Sequence, residues 1–153
     1  MIHILSGTAV IFAGLFQLWS DLTQSRMTVH PITGRLYVAG VLIGSIGAIY
    51  LLPNNMRFGL TYTSGLGALA LAWLLTTGMA LYAIRRKKIL QHKEWMIRSF
   101  VVTGAFVTAR LMIDYIPYTE WGLSFNEFGG MTLWACWVIP LMITEVIIQG
   151  RKI

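Results

Sequence analysis

The chain has 153 residues and little of what a soluble enzyme relies on. Its one cysteine, Cys136, excludes an internal disulfide and leaves a thiolate metal site without a second sulfur. Only 12% of the residues are charged, against about 25% in an average soluble domain. There is no glycine-rich phosphate loop, no nucleophile beside an evident base, and no His, Cys, Asp or Glu run with metal-ligand spacing. What is present in quantity is apolar: 56% hydrophobic residues and a mean hydropathy of +0.67.

The apolar residues fall in five runs, 4–19, 32–52, 60–84, 95–113 and 130–148, each close to the roughly 17 to 25 residues of a spanning helix. The expectation is therefore an all-α integral membrane protein, with one transmembrane domain over residues 1–153 folded as a five-helix bundle. The first run has no basic stretch before it and ends at Trp19 rather than at small residues, so it reads as a retained helix and not as a signal peptide.

A net charge of +6 suggests nucleic acid only until the charges are located. Arg26, Arg35, Arg85, Arg86, Lys87, Lys88, Lys93, Arg98, Arg151 and Lys152 all lie at one set of helix ends, whereas Arg57 is in an opposite loop and Arg110 within a run. Basic loops stay in the cytoplasm. This predicts the N-terminus outside, five crossings and the C-terminus inside, in a cytoplasmic membrane, with lipid and other membrane-protein subunits as partners and no nucleic acid.

The fourth run carries one polar line. At about 100° per residue His92 and Arg110 share a helix face roughly 27 Å apart, with Ser99 and Thr103 within about 20° of it and Asp114 within about 40°. Ionisable groups at membrane depth turn toward protein or water, so the rest of the chain should wall this line. His3, Gly7, Gly14, Gln17 and Asp21 share a face of the first helix, where the two glycines permit close packing. Pro31 suits a helix start, which makes His30 the expected cap of the second helix. The third run has no charged residue before Arg85, and no chemistry is assigned to it.

Helix starts and ends put His30 and Arg35, His92 and Arg98, and Glu145 at one membrane face, and His3, Arg110 and Asp114 at the other. Three readings of the inner group stay open. His30 and His92, with Tyr37 and Trp95 near them, suit a bound cofactor such as b-type haem. His30, His92 and Glu145 are reasonable metal or proton-carrying ligands. Alternatively His30 caps, His92 is interfacial, and Glu145 pairs with Arg98 or Arg35 to lock helices together.

The stretches His30-Pro31-Ile32-Thr33-Gly34-Arg35-Leu36-Tyr37 and His92-Lys93-Glu94-Trp95-Met96-Ile97-Arg98-Ser99 have the form H-x-x-x-G-R-x-Y and H-x-x-W-M-x-R-S. In these motifs, and in His3, Arg110 and Glu145, the chain resembles an uncharacterised bacterial family of small multi-pass membrane proteins, a domain of unknown function. The resemblance implies fold and localisation and no activity. The histidines at helix starts are also loosely similar to those of b-type cytochrome bundles, an analogy of fold alone. The functional expectation is a redox or proton-linked role, binding haem or quinone beside a larger partner. The alternatives are a non-catalytic accessory subunit and, third, a small transporter.

Overall fold

The structure is a computed structural model. It describes residues 2–26 and 28–152, with side chains from Gly7 onward. Its five α-helices are α1 (Ile2–Thr23), α2 (His30–Asn55), α3 (Leu60–Arg85), α4 (Ile89–Tyr115) and α5 (Phe125–Gly150), with one 3-10 turn, Met56–Phe58, between α2 and α3. Among the described residues, four stretches are long and apolar enough to cross a membrane: His30–Phe58, Leu60–Arg85, Ile89–Tyr115 and Phe125–Gly150.

Successive helices run antiparallel because the connections are short. At one end Asp21 meets Lys93 and Glu94 meets Lys152. At the other, Phe58 lies against Phe125, and Trp134 Nε1 donates to the Thr61 carbonyl at 3.3 Å. The first end carries the basic loops, so the segregation of charge expected from sequence is a property of the folded bundle. The start of α5 is fixed by a capping box, in which the Ser124 hydroxyl accepts from Glu127 N–H and Glu127 Oε2 accepts from Ser124 N–H at 2.9 Å.

Lateral packing makes α3 and α4 the centre. α3 packs on α2, α4 and α5, while α1 lies along α2 and touches α4 more lightly. α2 buries Tyr37, Val41, Gly44, Ser45 and Ala48, the one-sided spacing of a helix face. The core joins Tyr37 and Val41 to Val10, Leu69, Trp73, Val102, Ala105 and Cys136.

Of the two glycines on the α1 face, only Gly14 serves close approach. A Cβ there would overlap the Phe100 ring and come within 3.1 Å of Tyr37 Cε2, whereas one at Gly7 would meet nothing within 4 Å. Gly14→Ala should lower the unfolding free energy by about 1 kcal/mol, the lower end of overpacking costs. Gly7→Ala should be neutral or stabilising, since alanine is the better helix former. Unfolding of the two variants in mixed micelles checks the contrast.

Candidate functional site

The stripe on α4 enters the bundle at its middle. Ser99 and Thr103 are buried there, and α2 and α3 supply Tyr37, Trp73 and Thr77 to meet them. Thr103 Oγ1 gives its proton to the Ser99 carbonyl at 2.9 Å, so it can only accept from Trp73 Nε1 and from the Tyr37 hydroxyl, both at 2.8 Å. With the Tyr37 proton committed, its oxygen accepts from the Ser99 hydroxyl at 2.8 Å, and Ser99 in turn accepts from Thr77 at 2.7 Å. One proton order therefore satisfies every hydroxyl in the group. Tyr37, expected beside a cofactor, is instead committed to this network.

Toward the basic end the stripe reaches His92, one turn inside α4. Its Nδ1 lies 2.9 Å from the carbonyl of Ala80 on α3. A carbonyl only accepts, so Nδ1 carries the proton and a neutral imidazole keeps its lone pair on Nε2. His30, at the start of α2, is turned back onto α1, with Nδ1 2.7 Å from Ser20 Oγ. Ser20 Oγ is 3.1 Å from the Gln17 carbonyl. With the hydroxyl proton directed there, Ser20 accepts from His30 Nδ1–H and again leaves Nε2 free. Gln17 Nε2 donates to the His30 carbonyl at 2.6 Å and also to the Thr33 hydroxyl, which ties the two helices at this point.

The two histidines line one cavity of about 250 Å³ between α1, α2 and α4. Gly14, Gln17, Met96 and Phe100 form other parts of its wall, and Leu18, Leu22 and Ile97 give it an apolar flank. Leu22 and Ile97 are exposed on the outside of the bundle, so this flank opens toward lipid. Asp21 and Lys93, paired at 2.9 Å from α1 to α4, also line it and make its charged edge neutral.

Capping is not the role of His30. The N-cap is Val29, with no side-chain cap bond, because the imidazole is held by Ser20 instead. Nor does Glu145 join the histidines. It lies on a second, larger groove of about 850 Å³ between α3, α4 and α5, together with Trp95, Arg98, Glu94 and Lys152. Arg98, buried, donates from both Nε and Nη2 to Glu145 Oε2 at 2.7 Å, has Glu94 at 3.8 Å, and stacks over the Trp95 ring at 4.7 Å. Glu145 thus does what the interlocking reading expected of it. Among the described residues no group of three or more His, Cys, Asp or Glu is placed to hold a metal ion, so the ligand set His30, His92 and Glu145 is not assembled.

Of the other residues expected in a polar interior, Arg98 is the one buried among those whose side chains are described. Arg35 is exposed. Arg110 pairs with Asp114 at 2.9 Å, as expected, but its side chain is 76% exposed on the bundle surface. It sits about one and a half turns from the end of α4, within snorkelling reach of the interface, and its own i+4 carboxylate neutralises it, so no wall of helices is needed. His3 lies outside the residues whose side chains are described.

Sequence reasoning missed Ser20, Trp73 and Thr77 as polar partners, and the Ala80 carbonyl as the anchor of His92. Three of these belong to α3, a helix without charge before its last residue, where side-chain type alone gives no signal. Gln17 was visible through its place on the Gly14 face.

No curated protein and no solved structure matches the chain. A family profile described as "Predicted membrane protein (DUF2306)" matches residues 1–148. That span takes in all four apolar stretches but for the last residues of α5, both motif-bearing helix starts and the two-histidine cavity, and the chain belongs to this family of membrane proteins of unknown function.

Proposed function

We propose that the protein crosses the bacterial cytoplasmic membrane five times, N-terminus outside and C-terminus inside. In this reading it holds the ring headgroup of a prenylated quinone in the cavity of His30 and His92, in a proton-linked redox role beside a larger partner. The observation that carries the reading is the pair of imidazoles on one cavity, each tied through Nδ1 to a protein oxygen and each with no partner on Nε2 among the described residues. Second-atom anchoring of this kind fixes the tautomer and the orientation of the ring. Two such nitrogens suit a ring that presents hydroxyls as a quinol. The apolar flank at Leu18, Leu22 and Ile97 gives a prenyl tail its way to lipid. The asymmetry of basic loops supports the orientation.

Haem suits the cavity less well. At about 250 Å³ the cavity takes one ring headgroup with its tail outside, whereas a bis-imidazole haem needs a planar slot for a whole porphyrin between its two ligands.

Calorimetric titration of the purified protein with a short-tailed, water-soluble quinone tests the reading. His30→Ala and His92→Ala should each weaken binding about tenfold or more, the loss of about one good hydrogen bond. Arg110→Gln, at the far end of the bundle, should leave it unchanged. Unaltered affinity in both histidine variants, or a Soret band in the protein as isolated, would overturn it.

A further inference from the structure

The larger groove has a chemistry of its own. Glu145 lies five residues before the end of α5, about 7 Å below it along the axis, and its side chain is 43% exposed. A carboxylate half open at that depth is costly against hydrocarbon. Its Oε2 serves Arg98, and its Oε1 accepts from Gln149 at 2.6 Å. A carboxylate has about four lone-pair sites, so room for a further donor remains.

Above it, Lys152 bridges to Glu94 at 2.9 Å while its side chain is 46% exposed. The groove's polar edge thus offers two cations and two anions in alternation, with no net charge. Below that edge the walls become Met79 of α3 and Leu141 and Met142 of α5, with Met79 and Met142 open to the outside of the bundle. A volume of about 850 Å³ lies in the upper part of the range for small-molecule sites.

We infer that this groove binds one glycerophospholipid with an ethanolamine headgroup. The primary ammonium donates to Glu145, the phosphate faces the Lys152 ammonium, and the acyl chains run down past Leu141 and Met142. Charge complementarity selects this head over its relatives. A choline head has no N–H to give to Glu145, and a glycerol head brings a net negative charge to a neutral edge. A further charge-assisted hydrogen bond is worth roughly tenfold in affinity.

The test is native mass spectrometry of delipidated protein titrated with phosphatidylethanolamine, phosphatidylcholine and phosphatidylglycerol of identical chains. One ethanolamine lipid should be retained about tenfold more tightly than either of the others. Met142→Trp fills the groove from an exposed position and removes no member of either ion pair. It should abolish that preference and leave helix content and unfolding unchanged. Lys152→Gln should weaken retention of all three lipids. Equal retention of the three, a preference that survives Met142→Trp, or isolation of the protein with a second polypeptide across the groove would overturn the inference.

Discussion

Replacing Glu145 by leucine should lower the unfolding free energy by about 2 to 3 kcal/mol. Removing one member of a buried ion pair typically costs about 3 to 5 kcal/mol, because the other is left charged and unpaired. Here Arg98 is buried, with 8% side-chain exposure, but its partner is 43% exposed and Glu94 remains at 3.8 Å, which reduces the penalty. The double variant Arg98→Met, Glu145→Leu removes both charges at similar volume. It should recover most of the loss, since apolar replacements of ion pairs are often neutral or stabilising. A double-mutant cycle in mixed micelles gives the coupling directly. A Glu145→Leu variant as stable as the wild type would mean that Arg98 is already satisfied by Glu94 and its stacking on Trp95.

Thr103→Val should cost about 2 kcal/mol, although it removes one oxygen and adds one methyl. Thr103 Oγ1 accepts from both Trp73 Nε1 and the Tyr37 hydroxyl. Valine leaves two buried donors facing hydrocarbon, at about 1 kcal/mol each. That is the low end for unsatisfied groups, because helices separated in a membrane also find partners. Thr103→Ser keeps the acceptor and should lose much less. Thr77→Val should also cost less, since it removes one donor to Ser99 and orphans none. If Thr103→Val and Thr77→Val proved equal in equilibrium unfolding, the convergence of two donors on Thr103 would not describe the core.

What the sequence showed clearly was periodicity. The line of His92, Ser99 and Thr103 on α4 is the line the bundle encloses, because 3.6-residue geometry holds whatever packs around it. Depth and neighbours were less visible. His30 before Pro31 has the pattern of a cap, yet its imidazole turns to Ser20, a contact across ten residues that no local rule contains. Arg110 shares the angular position of the buried stripe, yet lies outside, because a long side chain near a helix end reaches the interface by itself. Glu145 and the histidines were grouped because all three sit near one membrane face. Being at one depth does not make helices neighbours: α5 packs on α3 and α4, while the histidine cavity lies between α1, α2 and α4.

The two grooves at the same end of the bundle differ in their chemistry. One is bordered by two imidazoles and an apolar flank, the other by alternating ion pairs. Gly14 links the first to the core, since Phe100 fits against it and also lines the cavity.

Photolabelling with an azidoquinone bearing a short prenyl tail tests the central claim most directly, because it reports where the ring sits. After proteolysis and mass spectrometry, the label should fall on Met96, Phe100 or Leu18 around the two histidines. It should also be displaced by excess unlabelled quinone and disappear in His92→Ala. Label confined to Trp95, Met142 or Trp137 in the larger groove, or spread over the lipid-facing surface without competition, would contradict a quinone site at His30 and His92.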